Sequence, residues 1–342
     1  MTLTRVLIYG VPKRLLAACP VLFGILLVTF ILMRVLPGDP ASMLLSSPSA
    51  GDAELSVIRA QLGLDRSLPE QLWIYISDVA HGDFGRSHGT GQPVLTDLLE
   101  RFPASLELVG LSLMVALSLA LPMGIMAALR PGSIFDHIVR VICTVGVSVP
   151  TFVSGLILVY IFYFLLGWAP DPTGRLDVFM LPPPTVTGFL LIDTLLAGDG
   201  ETFLAALKQL VLPTVTLALF VLAPLARVTR ASMLGVLNSD FVRTARSLGL
   251  SDRKVIITYA LKNAMLPVLT VSGAVISTLL SASVLVEKVF AWPGIASYAA
   301  DALASGDFAP VQGFVLFMAA IYVVVNLIID ILYRVFDPRV SL

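Results

Sequence analysis

Six stretches without a single charged side chain, each about long enough to cross a lipid bilayer, leave this 342-residue chain few ways to fold. They run from Leu15 to Met33, Leu108 to Leu129, Val141 to Leu166, Gln209 to Ala226, Ala264 to Val286 and Phe308 to Ile329. A helix rises about 1.5 Å per residue and the hydrocarbon layer is about 30 Å thick, so about 20 apolar residues make one crossing. The composition agrees. At 57% hydrophobic and 13% charged, the chain carries about half the charge of an ordinary soluble domain. The expected fold is an all-α polytopic membrane protein with six transmembrane helices. Its 22 basic and 23 acidic residues nearly cancel, so nothing in the net charge points to nucleic acid.

Two segments resemble something else until they are measured. Arg5, Lys13 and Arg14 ahead of the first run suggest a signal peptide. The run is longer than a typical h-region, however, and no A-x-A-like site follows closely, so it reads as a retained first span. Val178 to Ile192 is uncharged but short, and it contains Pro182, Pro183 and Pro184 in a row. Each proline removes a backbone donor and clashes with the preceding turn, so the segment reads as interfacial or re-entrant. The Gln209 run is the shortest of the six and is expected to continue past Arg227 and Arg230, whose stems can snorkel to the interface.

Charge sets the direction of threading. With both termini inside, the inner face gathers Arg5, Lys13, Arg14, Arg130, Arg140, the seven bases from Arg227 to Lys262, Arg334 and Arg339. The inner segments then sum to +9 and the outer ones to −10, the asymmetry that the positive-inside rule requires. A seventh span at Val178 would put the seven-base cluster outside. The parts are therefore residues 1–35 (inner N-terminus and first span), an outer segment 36–103, a core 104–335 of five spans with an inner loop 227–263, and an inner C-terminus 336–342. The outer segment mixes turn signals with amphipathic sequence in "LDRSLPEQLWIYISDVAHGDFGRS", which predicts a small ordered element. "TGFLLIDTLL" predicts an interfacial helix in the next outer segment.

The inner loop holds the most unusual sequence, "DFVRTARSLGL", from Asp240 to Leu250. Stepped at 100° per residue, Phe241, Val242, Ala245 and Leu248 share an arc of about 120°, while Asp240, Arg243, Thr244, Arg246 and Ser247 fill the rest. Ser239 or Asp240 can cap its start, and Gly249 sits where a left-handed residue would end it. Ser251 and Asp252 open a second helical run through Thr258 toward Pro267. Barely two turns of helix are marginal alone in water, so the element must pack on something. A lipid surface and a groove on a partner both fit its shape.

"DFVRTARSLGL" followed by "ALKNAMLPVLT" resembles the cytoplasmic coupling loop of ABC importer permeases, in the form carried by the peptide and nickel family. In the wider pattern of EAA followed three residues later by Gly, Arg243, Thr244 and Ala245 stand at the three positions and Gly249 at the glycine. "LPGDP", "LGLD", "GDFGRS", "RVTRASML", "VEKVFAWPGI" and "DPR" are similar to the B-type permease subunit, with Ala296 standing where the family often has Gly. "GSIFDH" and "TGFLLIDT" look most like the dipeptide branch.

The resemblance implies the type I importer permease fold, with six spans and a cytoplasmic coupling helix, in a bacterial inner membrane. It implies import of dipeptides or small peptides delivered by an extracytoplasmic binding protein. The partners implied are a second, C-type permease and two cytoplasmic ATPase subunits, which hydrolyse ATP with Mg; no cofactor is implied on this chain. Asp240, Phe241, Val242, Arg243, Thr244, Ala245, Arg246, Leu248 and Gly249 would form the coupling contact. The chain has no G-x-x-x-x-G-K-[ST] phosphate loop, so the energy must come from a partner. Relatives of this kind also carry nickel chelates, glutathione, haem and opines, and these remain alternative cargoes.

Two other classes compete. A self-sufficient secondary transporter predicts inverted repeats and ionisable groups at mid-membrane, and neither is present in the sequence. An intramembrane enzyme predicts H-E-x-x-H or G-x-S-x-G, and both are missing. His81, His88 and His137 have no ligand spacing, so no metal site is assigned, and Cys19 and Cys143 read as packing residues. Four smaller expectations complete the reading. Pro150 makes a packing kink inside span three; Glu107 and Asp330 lie near the interface and are hydrated; Phe290 and Trp292 anchor span five at headgroup depth; and the pathway residues are not identifiable.

Overall fold

The computed structural model describes residues 11–35, 56 and 65–336. Leu36 to Pro40, Leu62 to Leu64 and Asp337 to Arg339, which carry three of the short motifs, lie outside the described residues, as do Arg5 and the side chain of Arg334. Among the described residues every regular element is helical: α1 (Val11–Val35), α2 (Leu68–Ala80), α3 (Val94–Leu129), α4 (Ile134–Ser148), α5 (Thr151–Leu158) with a π-helical extension Val159–Leu165, α6 (Leu190–Leu196) and α7 (Gly200–Leu237). Then come α8 (Asp240–Ser247), α9 (Asp252–Val289, with a π-helical stretch Val255–Leu261), α10 (Ile295–Ser305) and α11 (Phe308–Phe336).

Four helices, α3, α7, α9 and α11, are long and apolar enough to cross a bilayer. The apolar stretch of α1, Leu16–Leu32, is shorter. The third run departs from expectation. It is not one kinked helix but two helices, α4 and α5 with its extension, meeting at 105° across Val149 and Pro150. Pro150 stands at the N-cap of α5 with extended backbone, so the chain turns there and does not merely bend. Among the described residues the crossings by length and composition number four, or five if the bent pair is one span. Residues Val178 to Phe189 carry no helix, and α6 begins only at Leu190.

The described chain separates into two compact units. The smaller, residues 11–102 and 294–323, has a core of Val94, Leu98, Ile295 and Tyr298. Phe84, Phe102, Phe314 and Phe317 pack around it. Gly313 allows a close approach, since a Cβ there would lie 2.5 Å from Val94 Cγ1. Two buried carboxylates staple its loop 85–92: Asp307 Oδ2 accepts from Ser87 Oγ at 2.9 Å, His88 N at 2.7 Å and Gly89 N at 3.2 Å. Asp97 accepts from Thr90 Oγ1 and from the Tyr298 hydroxyl at 2.9 Å.

The larger unit, residues 103–293 with the end of α11, is built on α7. Leu217, Val221, Ala223, Leu225 and Ala226 are all buried. At about 1.5 Å per residue its 38 residues run to roughly 57 Å, well beyond the hydrocarbon layer, so α7 continues past Arg227 and Arg230 as the sequence predicts. Small residues let neighbours touch it. A Cβ on Gly124 of α3 would lie 2.6 Å from Thr229 Cβ, and one on Gly146 of α4 would lie 3.3 Å from the Leu219 carbonyl oxygen.

Several buried polar groups in this unit are paired, although Arg175 Nε and Thr214 Oγ1 are not, and three expectations change. Glu107 is not hydrated. It is buried, holding Arg175 Nη2 at 2.7 Å and the Leu191 N–H at 2.9 Å, and Arg175 also donates to the Gly188 carbonyl. Phe290 and Trp292 are not surface anchors: both are buried, and the Trp292 indole donates to the Ala104 carbonyl at 2.9 Å. Arg230 does not snorkel but forms a bidentate pair with Asp136. In the first turn of α6, burial pushes the Asp193 carboxyl up, but donation from Thr187 Oγ1 and from the Thr187, Gly188 and Val186 backbones in the preceding loop holds it below the usual range.

Breaking one partner of a buried pair costs about 3–5 kcal/mol. Arg175→Met is therefore expected to lower the thermal midpoint in detergent by several degrees and to expose the 167–199 loop to protease. Glu107→Gln, which keeps an acceptor for Leu191, is expected to cost less. A midpoint unchanged in Arg175→Met would show that the pair holds nothing.

Candidate functional site: the helix at 240–249 and its seat

α8 runs from Asp240 to Ser247. Ser239 has the extended backbone of an N-cap, but its hydroxyl donates to the Val236 carbonyl at 2.5 Å and makes no cap bond. The start is therefore tied backward to α7 and not forward into α8. The end is closed by backbone geometry. Gly249 has φ +76°, and its N–H donates to the Arg246 carbonyl at 2.9 Å while the Leu250 N–H reaches the Ala245 carbonyl at 3.3 Å. This pair of bonds around a left-handed residue is the Schellman motif, and it includes an apolar contact from the residue that follows. Leu250 supplies that contact.

The apolar arc read from the sequence divides in two. Val242 and Ala245 are buried against Val255 at the foot of α9, with Val236 and Leu250 packed on the same cluster. Phe241 and Leu248 stay outward, 45% and 75% exposed. Only part of the face is therefore available to a partner. The structure brings Val242 and Ala245 into the chain's own core and leaves Asp240, Phe241, Arg243, Thr244, Arg246, Leu248 and Gly249 exposed. The charges around it form exposed pairs, Arg243 with Asp240 at 3.4 Å and Arg246 with Asp252 at 3.7 Å. Such pairs contribute at most about 1 kcal/mol.

Sequence reasoning missed the seat. Val255 belongs to a π-helical stretch, and a second cluster of Ala128, Met233, Ala260 and Ala264 lies against it, with Val236 touching both. α8 is thereby tied to the ends of α3, α7 and α9 together. Nor was the Asp136–Arg230 pair foreseen, since the two residues are remote in sequence. Their only local signal was a lone acid in a basic segment.

Two family comparisons identify the class. Residues 120–342 match the model of the binding-protein-dependent transport system inner membrane component, and residues 6–109 match the N-terminal part of that membrane component. The chain belongs to this family: it is a multi-pass inner-membrane permease subunit of an ABC importer. Among relatives, it is 44% identical over 321 residues to the probable D,D-dipeptide transport system permease protein DdpB of Escherichia coli (strain K12), covering 94% of each chain. It is 41% identical to the di/tripeptide transport system permease protein DppB of Pseudomonas aeruginosa (strain UCBPP-PA14), covering 96% of this chain and 98% of that one. With the dipeptide transport system permease protein DppB of Escherichia coli (strain K12) the identity is 39%, covering 96% and 97%. A solved amino acid ABC transporter chain overlaps 72% of this chain and 94% of its own with a TM-score of 0.47 at 18% identity.

The seat itself can be tested without transport. Ala245→Asp places a carboxylate against Val242 and Val255 and is expected to release α8, so that trypsin cuts after Arg243 and Arg246 at least about tenfold faster, the equivalent of about 1.4 kcal/mol of lost protection. Leu248→Asp, on the exposed side, is expected to leave the rate unchanged. Equal rates in both variants would mean that the buried face does not hold the helix.

Proposed function

We propose that this chain imports dipeptides or small peptides, taking them from an extracytoplasmic binding protein, and that α8 couples it to two cytoplasmic ATPase subunits. The observation that carries the coupling role is the divided face of α8. Val242 and Ala245 fix the helix to its own chain, while Phe241 and Leu248 stand bare beside a ring of polar groups. An aromatic and an aliphatic anchor on a short rigid helix suit a groove on a partner. ATP-driven closure of the ATPase pair then favours one of two membrane conformations, and α8 carries that bias.

The family and the charge asymmetry support the remaining assignments. A second, C-type permease completes the pathway; both termini and α8 face the cytoplasm; ATP and Mg are used by the ATPases, with no cofactor on this chain. Similarity to permeases whose names specify dipeptides supports peptide cargo. Nickel chelates, glutathione and haem are the alternative cargoes within the same mechanism.

The decisive experiment is uptake by the reconstituted assembly with its binding protein. Peptide uptake is expected to require ATP and every subunit. Gly249→Pro, or Phe241→Ala with Leu248→Ala, should leave membrane insertion intact and reduce uptake per ATP at least about tenfold, corresponding to about 1.4 kcal/mol of coupling. Normal coupled uptake in both variants would overturn the coupling role, and uptake by the lone chain would favour a secondary transporter. A cysteine at Thr244 should react with an impermeant reagent only from the cytoplasmic side.

A further inference from the structure

Three ties converge where α7 leaves the apolar region. Gly124 of α3 meets Thr229; Met233 packs with Ala128 and with Ala260 and Ala264 of α9; and Asp136 of α4 clamps Arg230. The first two are apolar contacts between long helices. The third differs in kind. Arg230 donates from Nε to Asp136 Oδ1 at 2.6 Å and from Nη2 to Oδ2 at 2.8 Å, and the Gly132 N–H also reaches Oδ2, at 2.9 Å. The Asp136 side chain is 1% exposed. A bidentate pair fixes orientation as well as distance, and losing Arg230, itself 23% exposed, leaves the buried Asp136 charge without its main partner.

What the pair holds is the first arm of the broken run. α4 is capped at its start by Ser133, whose Oγ accepts from the Asp136 N–H, and it ends at Ser148, just before the 105° turn. Beside that turn is an apolar hollow of about 290 Å³ lined by Val145, Gly146, Val149, Ser154, Leu219 and Phe220. Pro150 cannot donate a backbone hydrogen bond across the break, so no helical ladder stiffens it. The joint can change angle with little loss of bonding. α4 itself is held to α7 at Arg230, seven residues before α7 ends at Leu237 and near the seat of α8.

We propose that the Asp136–Arg230 ion pair is a positioning link that makes α4 travel with the coupling helix, so that displacement of α8 becomes a change of angle at Val149–Pro150. The inference rests on the coupling role assigned to α8. Asp136 and Arg230 touch no cargo. They decide which way the first arm points when the lever moves, and the hollow beside the joint widens or closes accordingly.

The test uses the complete assembly in nanodiscs, with Cys19 and Cys143 replaced by Ser and paired spin labels introduced by Ile138→Cys with Ser247→Cys, or Ile138→Cys with Leu156→Cys. Addition of a non-hydrolysed ATP analogue with Mg is expected to leave the 138–247 distance unchanged and to shift the 138–156 distance. Asp136→Asn should make the 138–247 distance respond to nucleotide and should lower uptake per ATP at least about tenfold. Asp136→Arg combined with Arg230→Asp should restore both in part; a merely structural role would lower uptake without making the 138–247 distance respond to nucleotide. A 138–247 distance that shifts with nucleotide in the unaltered protein overturns the link, and so does full uptake per ATP in Asp136→Asn. Should Asp136→Asn fail to assemble, the two distances in the unaltered chain still decide. Uncoupling in Gly249→Pro together with normal coupling in Asp136→Asn removes the link alone. Normal coupling in Gly249→Pro removes the reading beneath it.

Discussion

An eight-residue helix does not persist on its own in water, because nucleating it fixes more backbone freedom than its few hydrogen bonds return. α8 exists because Val242 and Ala245 bury themselves against Val255, and because Gly249 turns the chain sharply enough for Leu250 to close the same cluster. The outward presentation of the helix depends on that seat. Phe241 and Leu248 are presented outward only because their neighbours on the arc are held inward. A residue with a Cβ at Gly249 would meet the steric penalty of the left-handed region there.

The rest of the larger unit follows a second constraint, the cost of leaving a polar group unpaired away from water. Glu107 meets it through Arg175 and the Leu191 amide, Asp136 through Arg230, and Trp292 through a carbonyl of α3. The Ser105 hydroxyl donates to Glu287 at 2.7 Å in the same unit. Each pairing joins segments far apart in sequence, so the polar groups do more than avoid a penalty. They specify which helices lie together, a selection that apolar contacts alone leave loose in an apolar solvent.

Legibility in the sequence divides along the same line. Features with a local cause could be read: the limits of α8, the glycine that ends it, the continuation of α7 past Arg230, and the failure of the Pro182–Pro184 segment to form a helix. Each depends on a few neighbouring residues and on the helical period. Features with a distant cause could not. Nothing near Glu107 announces Arg175, nothing near Phe290 and Trp292 announces their burial, and the arc of α8 gives no sign of which half meets Val255. Pro150 is an intermediate case. Its effect on the backbone is local, but whether it yields a shallow kink or a turn of 105° depends on how each arm packs against α7.

The strength of the seat bears on whether α8 can serve as a lever at all. Full burial of a valine contributes about 1.5–3 kcal/mol as an upper estimate, so Val242 and Val255 together with the smaller Ala245 contribute at most roughly 4–6 kcal/mol, before the cost of ordering the helix. Coupling free energies between distant sites are typically about 1–3 kcal/mol. For the proposed coupling role, the seat must hold the helix more tightly than the bias it carries, so that the bias is transmitted and the helix does not detach. Because Val236 belongs to the seat and also packs with the cluster of Ala128, Met233, Ala260 and Ala264, a force applied at α8 reaches three long helices at once. Under the proposed coupling the compliance lies elsewhere in the unit, and the turn at Val149–Pro150, where the ladder of hydrogen bonds is interrupted, is the place that the covalent structure provides for it.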